Sequence, residues 1–99
     1  IGKFMKIPEI KLVAKPETEE ARKSIGFKYN EDVGFGHKIG GDPDFVQGED
    51  DWPRCCGSKM TFYGQLDSVG DKYSLGDCGM VYVFVCFGCF NSVSVVQSH

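Results

Sequence analysis

The chain reads as a β-rich α+β protein: a small antiparallel sheet, irregular Gly/Pro-rich segments packed on it, and at most one or two short helices. Three observations predict this. Residues 60–66, 80–86 and 92–97 are rich in Val, Phe, Tyr and Met, and the side chains alternate along them with the period of a strand. Residues 30–58 are dense in turn formers, among them Gly34, Gly36, Gly40, Gly41, Pro43, Gly48, Pro53 and Gly57. Helix signals are confined to one short stretch near the N-terminus.

Residues 9–14 alternate weakly and suit an edge strand. Residues 15–24 follow with Pro16 at a first turn, acids early and bases late, which suits a short surface helix or a loop, and Gly26 would end a helix. In the turn-rich stretch, Phe35, Ile39, Phe45, Val46 and Trp52 interleave with the glycines. That aromatic content argues for irregular structure packed inward over a sheet rather than for disorder. In residues 60–66 the alternation assigns Met60, Phe62, Gly64 and Leu66 to one face, and Thr61, Tyr63 and Gln65 to the other. Residues 80–86 put Met80, Tyr82, Phe84 and Cys86 on one face and Val81, Val83 and Val85 on the other. Both faces are apolar, so this strand is expected to be central and covered on both sides. In residues 92–97, Val93 and Val95 lie opposite Ser94 and Val96. The connection at 87–91 has the length of a hairpin loop.

With 99 residues the chain is a single domain, and one small enough for its stability margin to be thin. It begins at Ile1 rather than Met, which suits a fragment of a larger protein. The net charge of −3 argues against a nucleic-acid partner. No apolar run has the length of a membrane span, and no secretory signal is visible. The charge is unevenly spread: residues 1–30 hold seven Lys/Arg and four acids, while residues 31–51 hold one Lys and seven acids. The cluster Glu49, Asp50 and Asp51 is therefore either a solvated loop or a surface for a protein partner.

The five cysteines carry the most chemical information. An odd count excludes a fully paired set of disulfides within one chain, and reduced thiols in a cytoplasmic protein are the expectation. If residues 60–66 and 80–86 pair antiparallel, Cys55, Cys56, Cys86 and Cys89 converge at one end of the sheet. Cys78 precedes its strand by enough to lie about 26 Å from that end. Clustered thiolates are what tetrahedral zinc requires. The pair Cys86 and Cys89 has zinc-ligand spacing, with Gly88 suited to the tight turn between them. The other half is irregular. Pro53 and Ser58 stand where a second such pair needs cysteine, and adjacent Cys55 and Cys56 are expected to point apart. His37 and His99 are the remaining ligand types. The spacing leaves two readings open: a structural zinc site, or reduced, half-buried thiols left from a decayed one. A redox role for Cys86 and Cys89 is disfavoured, because such cysteines sit at helix N-termini and a strand follows here.

No catalytic residues are assigned. His37 stands in no recognisable motif with a nucleophile and reads as a turn histidine bonded to backbone. The glycines at 34, 36, 40 and 41 form no phosphate loop, and the acids at 42–51 lack the spacing of a calcium loop.

The ordered series of short motifs nevertheless has a resemblance. The run from His37 to Gln47 contains Gly40-Gly41-Asp42-Pro43-Asp44-Phe45-Val46-Gln47. Cys56-Gly57 follows, then Met60-Thr61-Phe62, Gln65-Leu66-Asp67, Gly76-Asp77, Tyr82-Val83-Phe84, Cys86 with Cys89, and a late Gln97. Over residues 36–97 this order resembles the YwqG-like family of bacterial proteins of unknown function and, more distantly, the programmed-cell-death-2 family. The resemblance implies a β-rich fold and no enzyme activity. It implies a protein partner: a toxin, as for an immunity protein, or a client, as for a dedicated chaperone. Cys56, Cys86 and Cys89 fall on the family's cysteine positions. The leading expectation is a non-enzymatic protein-binding module, zinc-stabilised through Cys55, Cys56, Cys86 and Cys89, with Gln47, Trp52 and the acidic loop as candidate contacts. The alternatives are a small enzyme with a cysteine- or metal-centred site, and a structural fragment of a longer protein.

Overall fold

The computed structural model describes residues 4–25, 36–48, 52–68, 73–76 and 79–98. In chain order the elements are β1 (Ile10–Lys11), α1 (Glu19–Ile25), β2 (Lys38–Ile39), β3 (Arg54–Cys55), β4 (Ser58–Lys59), β5 (Thr61–Asp67), β6 (Met80–Val85) and β7 (Ser92–Gln97). One sheet has the order β1-β2-β5-β6-β7, with every neighbouring pair antiparallel, and β3 and β4 form a separate two-stranded ribbon. Among the described residues the fold is thus β-rich with one short helix. Among the described residues no helix is long and apolar enough to cross a membrane.

The helix starts later than the position of Pro16 suggests. Thr18 caps it: its Oγ1 accepts the Ala21 N–H at 3.0 Å. That satisfies a donor with no partner inside the helix. Glu19 and Glu20 follow in the first turn, where the helix dipole favours acids. Gly26 lies outside the described residues.

β6 is central, as its two apolar faces imply. Tyr82 and Phe84 are fully buried, and they pack with Met60, Phe62 and Cys86 as the core. The other face, Val81, Val83 and Val85, is only half-buried. Coverage is therefore unequal: the irregular segment carrying Phe45 and Trp52 packs on the Tyr82 face. Phe45 lies 4.9 Å from Tyr82 between ring centroids, and Trp52 lies 5.6 Å from Phe84.

β5 departs from simple alternation. Phe62 pairs with Phe84, but Gly64, not Tyr63, pairs with Val83, so Tyr63 is an extra residue in the strand. A one-residue bulge moves every later side chain to the opposite face. Gln65, expected opposite the core, is 1 % exposed, and Leu66, expected beside Phe62, is 50 % exposed. Gly64 sits where β2 approaches closely: a Cβ there would lie 2.7 Å from the Lys38 carbonyl oxygen.

The bulge has a structural use. It aims Gln65 at the glycine-rich loop, where it supplies partners for backbone groups of Gly36 and Asp44. Gln65 accepts the Asp44 N–H through Oε1 at 3.0 Å and donates through Nε2 to the Gly36 carbonyl at 2.7 Å and the Asp44 carboxylate at 2.9 Å. One strand over, the Tyr82 hydroxyl donates to the Asp44 carbonyl at 2.8 Å and accepts the Val46 N–H at 3.2 Å. On β7, Gln97 accepts the Gln47 N–H and donates to the Gly48 carbonyl, each at 3.0 Å. Three side chains on adjacent strands thus pin residues 44–48 across the sheet. Gln65→Leu keeps the volume and removes these partly buried hydrogen bonds, so urea unfolding is expected to show a loss of about 1–2 kcal/mol. A change under about 0.5 kcal/mol would mean the loop is held by packing alone.

Candidate metal centre

The pairing Thr61↔Val85 at one end of β5 and β6 decides where the cysteines meet. Just before β5, the β3–β4 ribbon pairs Arg54 with Lys59 and Cys55 with Ser58, leaving Cys56 and Gly57 as its two-residue turn. Both turn residues have positive φ, 51° and 81°. Positive φ at both centres is the mark of the tight hairpin turn that matches strand twist. Just after β6, the chain reverses through residues 87–89 into β7. The Cys86 N–H donates to the Asn91 carbonyl at 2.8 Å, and the Phe90 N–H donates to the Cys86 carbonyl at 2.6 Å. Phe90 also has positive φ, 62°, and is 72 % exposed. An L residue in that conformation is strained, and edge contact with Phe87, 6.1 Å between ring centroids, holds it there.

These two turns face each other. The sulfurs of Cys55, Cys56, Cys86 and Cys89 all lie within 4.8 Å of one another. Cys55 Sγ is 3.7 Å from Cys89 Sγ and 3.9 Å from Cys56 Sγ. A tetrahedral zinc thiolate, with bonds near 2.3 Å, has a sulfur–sulfur edge of about 3.8 Å. The expectation that adjacent Cys55 and Cys56 diverge is corrected by the turn. Left-handed backbone at Cys56 swings its side chain back toward that of Cys55. The four cysteines can bind a metal, and they are free thiols rather than disulfides.

Electrostatics sharpen the arrangement. Cys86 is buried at the base of the cluster, and its Sγ accepts the Gly88 N–H at 3.4 Å. Hydrogen bonds from the Cys89 and Gly88 N–H groups lower its pKa to about 7. Cys55 is pushed up to about 12 by hydrogen bonds to Cys89 and Cys86, and Cys56 is raised by a hydrogen bond to Cys89. Without a cation a thiolate at Cys86 is favoured over one at Cys55 or Cys56, because like charges at this separation repel. A divalent cation offsets that repulsion.

The other candidates fall elsewhere. His37 is buried at the opposite end of β5, where its Nδ1 accepts the Asp67 N–H at 3.0 Å, so the ring is neutral with its proton on Nε2. Burial lowers its pKa, against an opposing pull from Asp67. It is the backbone-bonded histidine of the sequence reading and is remote from the thiols. Cys78, His99 and the acids Glu49, Asp50 and Asp51 lie outside the described residues. The Trp52 Nε1 donates to the Met60 carbonyl at 2.9 Å, and Lys59 Nζ stands 4.7 Å from the centre of its ring. Gln47 is exposed, but its Nε2 donates to the Ser98 carbonyl, so it also ties the loop to β7. Of the loop acids, Asp42 pairs with Lys6 at 3.0 Å, and Asp44 pairs with Lys38 at 3.2 Å. Lys38, nearly buried, also meets Glu9 at 3.1 Å. Burial disfavours its charge, but the two carboxylates outweigh that and raise its pKa.

Sequence reasoning missed the anchoring roles of Gln65 and Tyr82. The available signal was a glycine-rich stretch full of unpartnered backbone groups beside a strand carrying a glutamine. No family model, no curated protein and no solved structure matches the chain.

Because Cys55 and Cys56 bind metal only after losing protons held above the ordinary thiol range, metal affinity is expected to fall in acid. Competition with a chromophoric chelator from about pH 8 to about pH 6 is expected to show more than about a tenfold loss of zinc affinity per pH unit. An affinity independent of pH would exclude binding through these thiols.

Proposed function

We propose that this chain is a non-enzymatic, zinc-stabilised β-sheet module that acts by binding another protein, as an immunity protein binds a toxin or a dedicated chaperone binds its client. The single observation that carries the zinc reading is the meeting of four sulfurs from two facing turns at near-tetrahedral spacing. Four cysteine donors fill a zinc ion's coordination, and filled sites are structural rather than catalytic. One of the four, Cys86, belongs to the hydrophobic core, so an ion there would tie both turns to the packed face of the sheet. What supports a protein partner is the resemblance of the motif order to YwqG-like and programmed-cell-death-2 proteins. The rival reading, a cysteine- or metal-centred enzyme, wants His37 beside Cys55 or Cys56, and the contact of His37 with Asp67 at the far end of β5 counts against it.

A second reading has its own observation. Leu66, Val81 and Val96 are cross-strand neighbours on the face away from the core. Leu66 is 50 % and Val96 57 % exposed. Such a row suits a sheet that rests on a further stretch of polypeptide, as a structural part of a longer protein would.

Zinc analysis of the purified chain is expected to give one ion per chain. Chelation is expected to lower the melting temperature by at least about 10 °C, as the loss of a few kcal/mol implies at this size. An unchanged melt and no metal would leave the thiols as relics. For the partner, proteins encoded beside this one are titrated against it by calorimetry. A saturable complex is the expected result, and its absence with every neighbour would count against the binding reading. Val96→Lys separates the two readings: it spares a partner bound elsewhere and abolishes docking through the apolar row.

A further inference from the structure

The thiol cluster has an inside and an outside. Cys86 is 2 % exposed and its sulfur is engaged by the Gly88 N–H. Cys55 is half-buried, whereas Cys56 and Cys89 are exposed. Cys55 closes β3 and Cys89 lies in the turn after β6, yet their sulfurs are 3.7 Å apart. Two sulfurs in contact, one of them open to solvent, have what disulfide formation needs: an accessible sulfur that an oxidant can reach, and a neighbour that resolves the product.

We propose that Cys55 and Cys89 form a reversible oxidation site, at which a peroxide links the β3–β4 turn to the β6–β7 turn through a disulfide and expels an ion held by the four thiols. The Cys89 sulfur, released from its proton or from the ion, attacks one peroxide oxygen. The O–O bond breaks, hydroxide leaves, and Cys89 becomes a sulfenic acid. The Cys55 sulfur then attacks the sulfenic sulfur, so that the S–S bond forms, the S–O bond breaks and a second hydroxide leaves. Two protons, from the thiols or from solvent in the metal-loaded protein, turn both hydroxides into water. The two sulfurs together lose two electrons and the peroxide gains them. The metal ion keeps its charge throughout.

Geometry selects this pair over the others. Cys55 and Cys56 are nearly as close, at 3.9 Å. A bond between adjacent residues, however, closes a small ring through their peptide, while here Cys55 is paired in a strand and Cys56 holds a turn at φ 51°. Cys86 is shielded from solvent oxidants by its burial. Cys89 lies in a turn where side-chain rotation can bring the sulfurs to bonding distance. After the bond forms, only Cys56 and Cys86 remain as donors, which is short of the four that a closed zinc site uses.

The test treats the full chain, zinc-loaded and metal-free in parallel, with hydrogen peroxide. Peptide mapping without reductant is expected to find Cys55 joined to Cys89 in both samples. In the loaded sample one zinc is released per bond, read by a chromophoric chelator, and a thiol reductant restores binding. Cys56→Ser keeps the bond and Cys89→Ser loses it. Direct conversion of Cys89 to sulfinic acid, a bond through Cys56, Cys78 or Cys86, or zinc retained in the disulfide form would each overturn the proposal. The metal-free arm separates this outcome from failure of the zinc reading, because the bond needs no metal to form.

Discussion

The antiparallel register of β5 and β6 is the constraint on which the rest depends. Thr61 opposite Val85 brings the segment entering β5 beside the segment leaving β6. Both segments are tight turns that carry cysteines, and the register makes them face each other. The same pairing lays Phe62 against Phe84, 5.7 Å between ring centroids, at the centre of the core. Core and thiol cluster are therefore continuous, with Cys86 a member of both. A change that slipped the two strands by one residue would take Phe84 out of the core and separate the turns in the same step.

The Tyr63 bulge is the second feature with consequences at a distance. It lets one strand serve two kinds of neighbour. Before it, Met60 and Phe62 face an aromatic core. After it, Gln65 faces a loop that needs hydrogen bonds. With Tyr82 and Gln97, Gln65 turns the inner face of the sheet from apolar at the thiol end to polar at the other. The segment across this face carries Phe45 and Trp52, which close the core from above.

Much of this was legible in the residues. Period-two alternation marks β6 and β7, and the meeting of the four cysteines follows from the sequence once residues 60–66 and 80–86 are supposed to pair antiparallel; the structure bears out both the pairing and the meeting. What was not legible depends on backbone angles that the alternation does not carry. Tyr63 is a good strand residue, and the sign beside it is Gly64, since an isolated glycine in a strand can mark a bulge; simple alternation ignores it, so the faces of Gln65 and Leu66 come out inverted. Left-handed backbone is expected at Gly57 but not at Cys56. Yet the Cys56 angle is what reconciles adjacent cysteines with one cluster. The helix start moved for a smaller reason: a threonine hydroxyl satisfies free N–H groups and proline only tolerates their absence.

On the proposed reading, a tetrathiolate between the two turns would add stability to a domain too small to draw much from its core. Cys56 and Cys89 are open to solvent, whereas Cys86 is enclosed by the packing that surrounds it. The central claim is that both turns hold one ion. X-ray absorption at the zinc edge of the loaded chain tests it most directly: the account predicts four sulfur neighbours at about 2.3 Å. Nitrogen or oxygen in that shell, or fewer than four sulfurs, would contradict it.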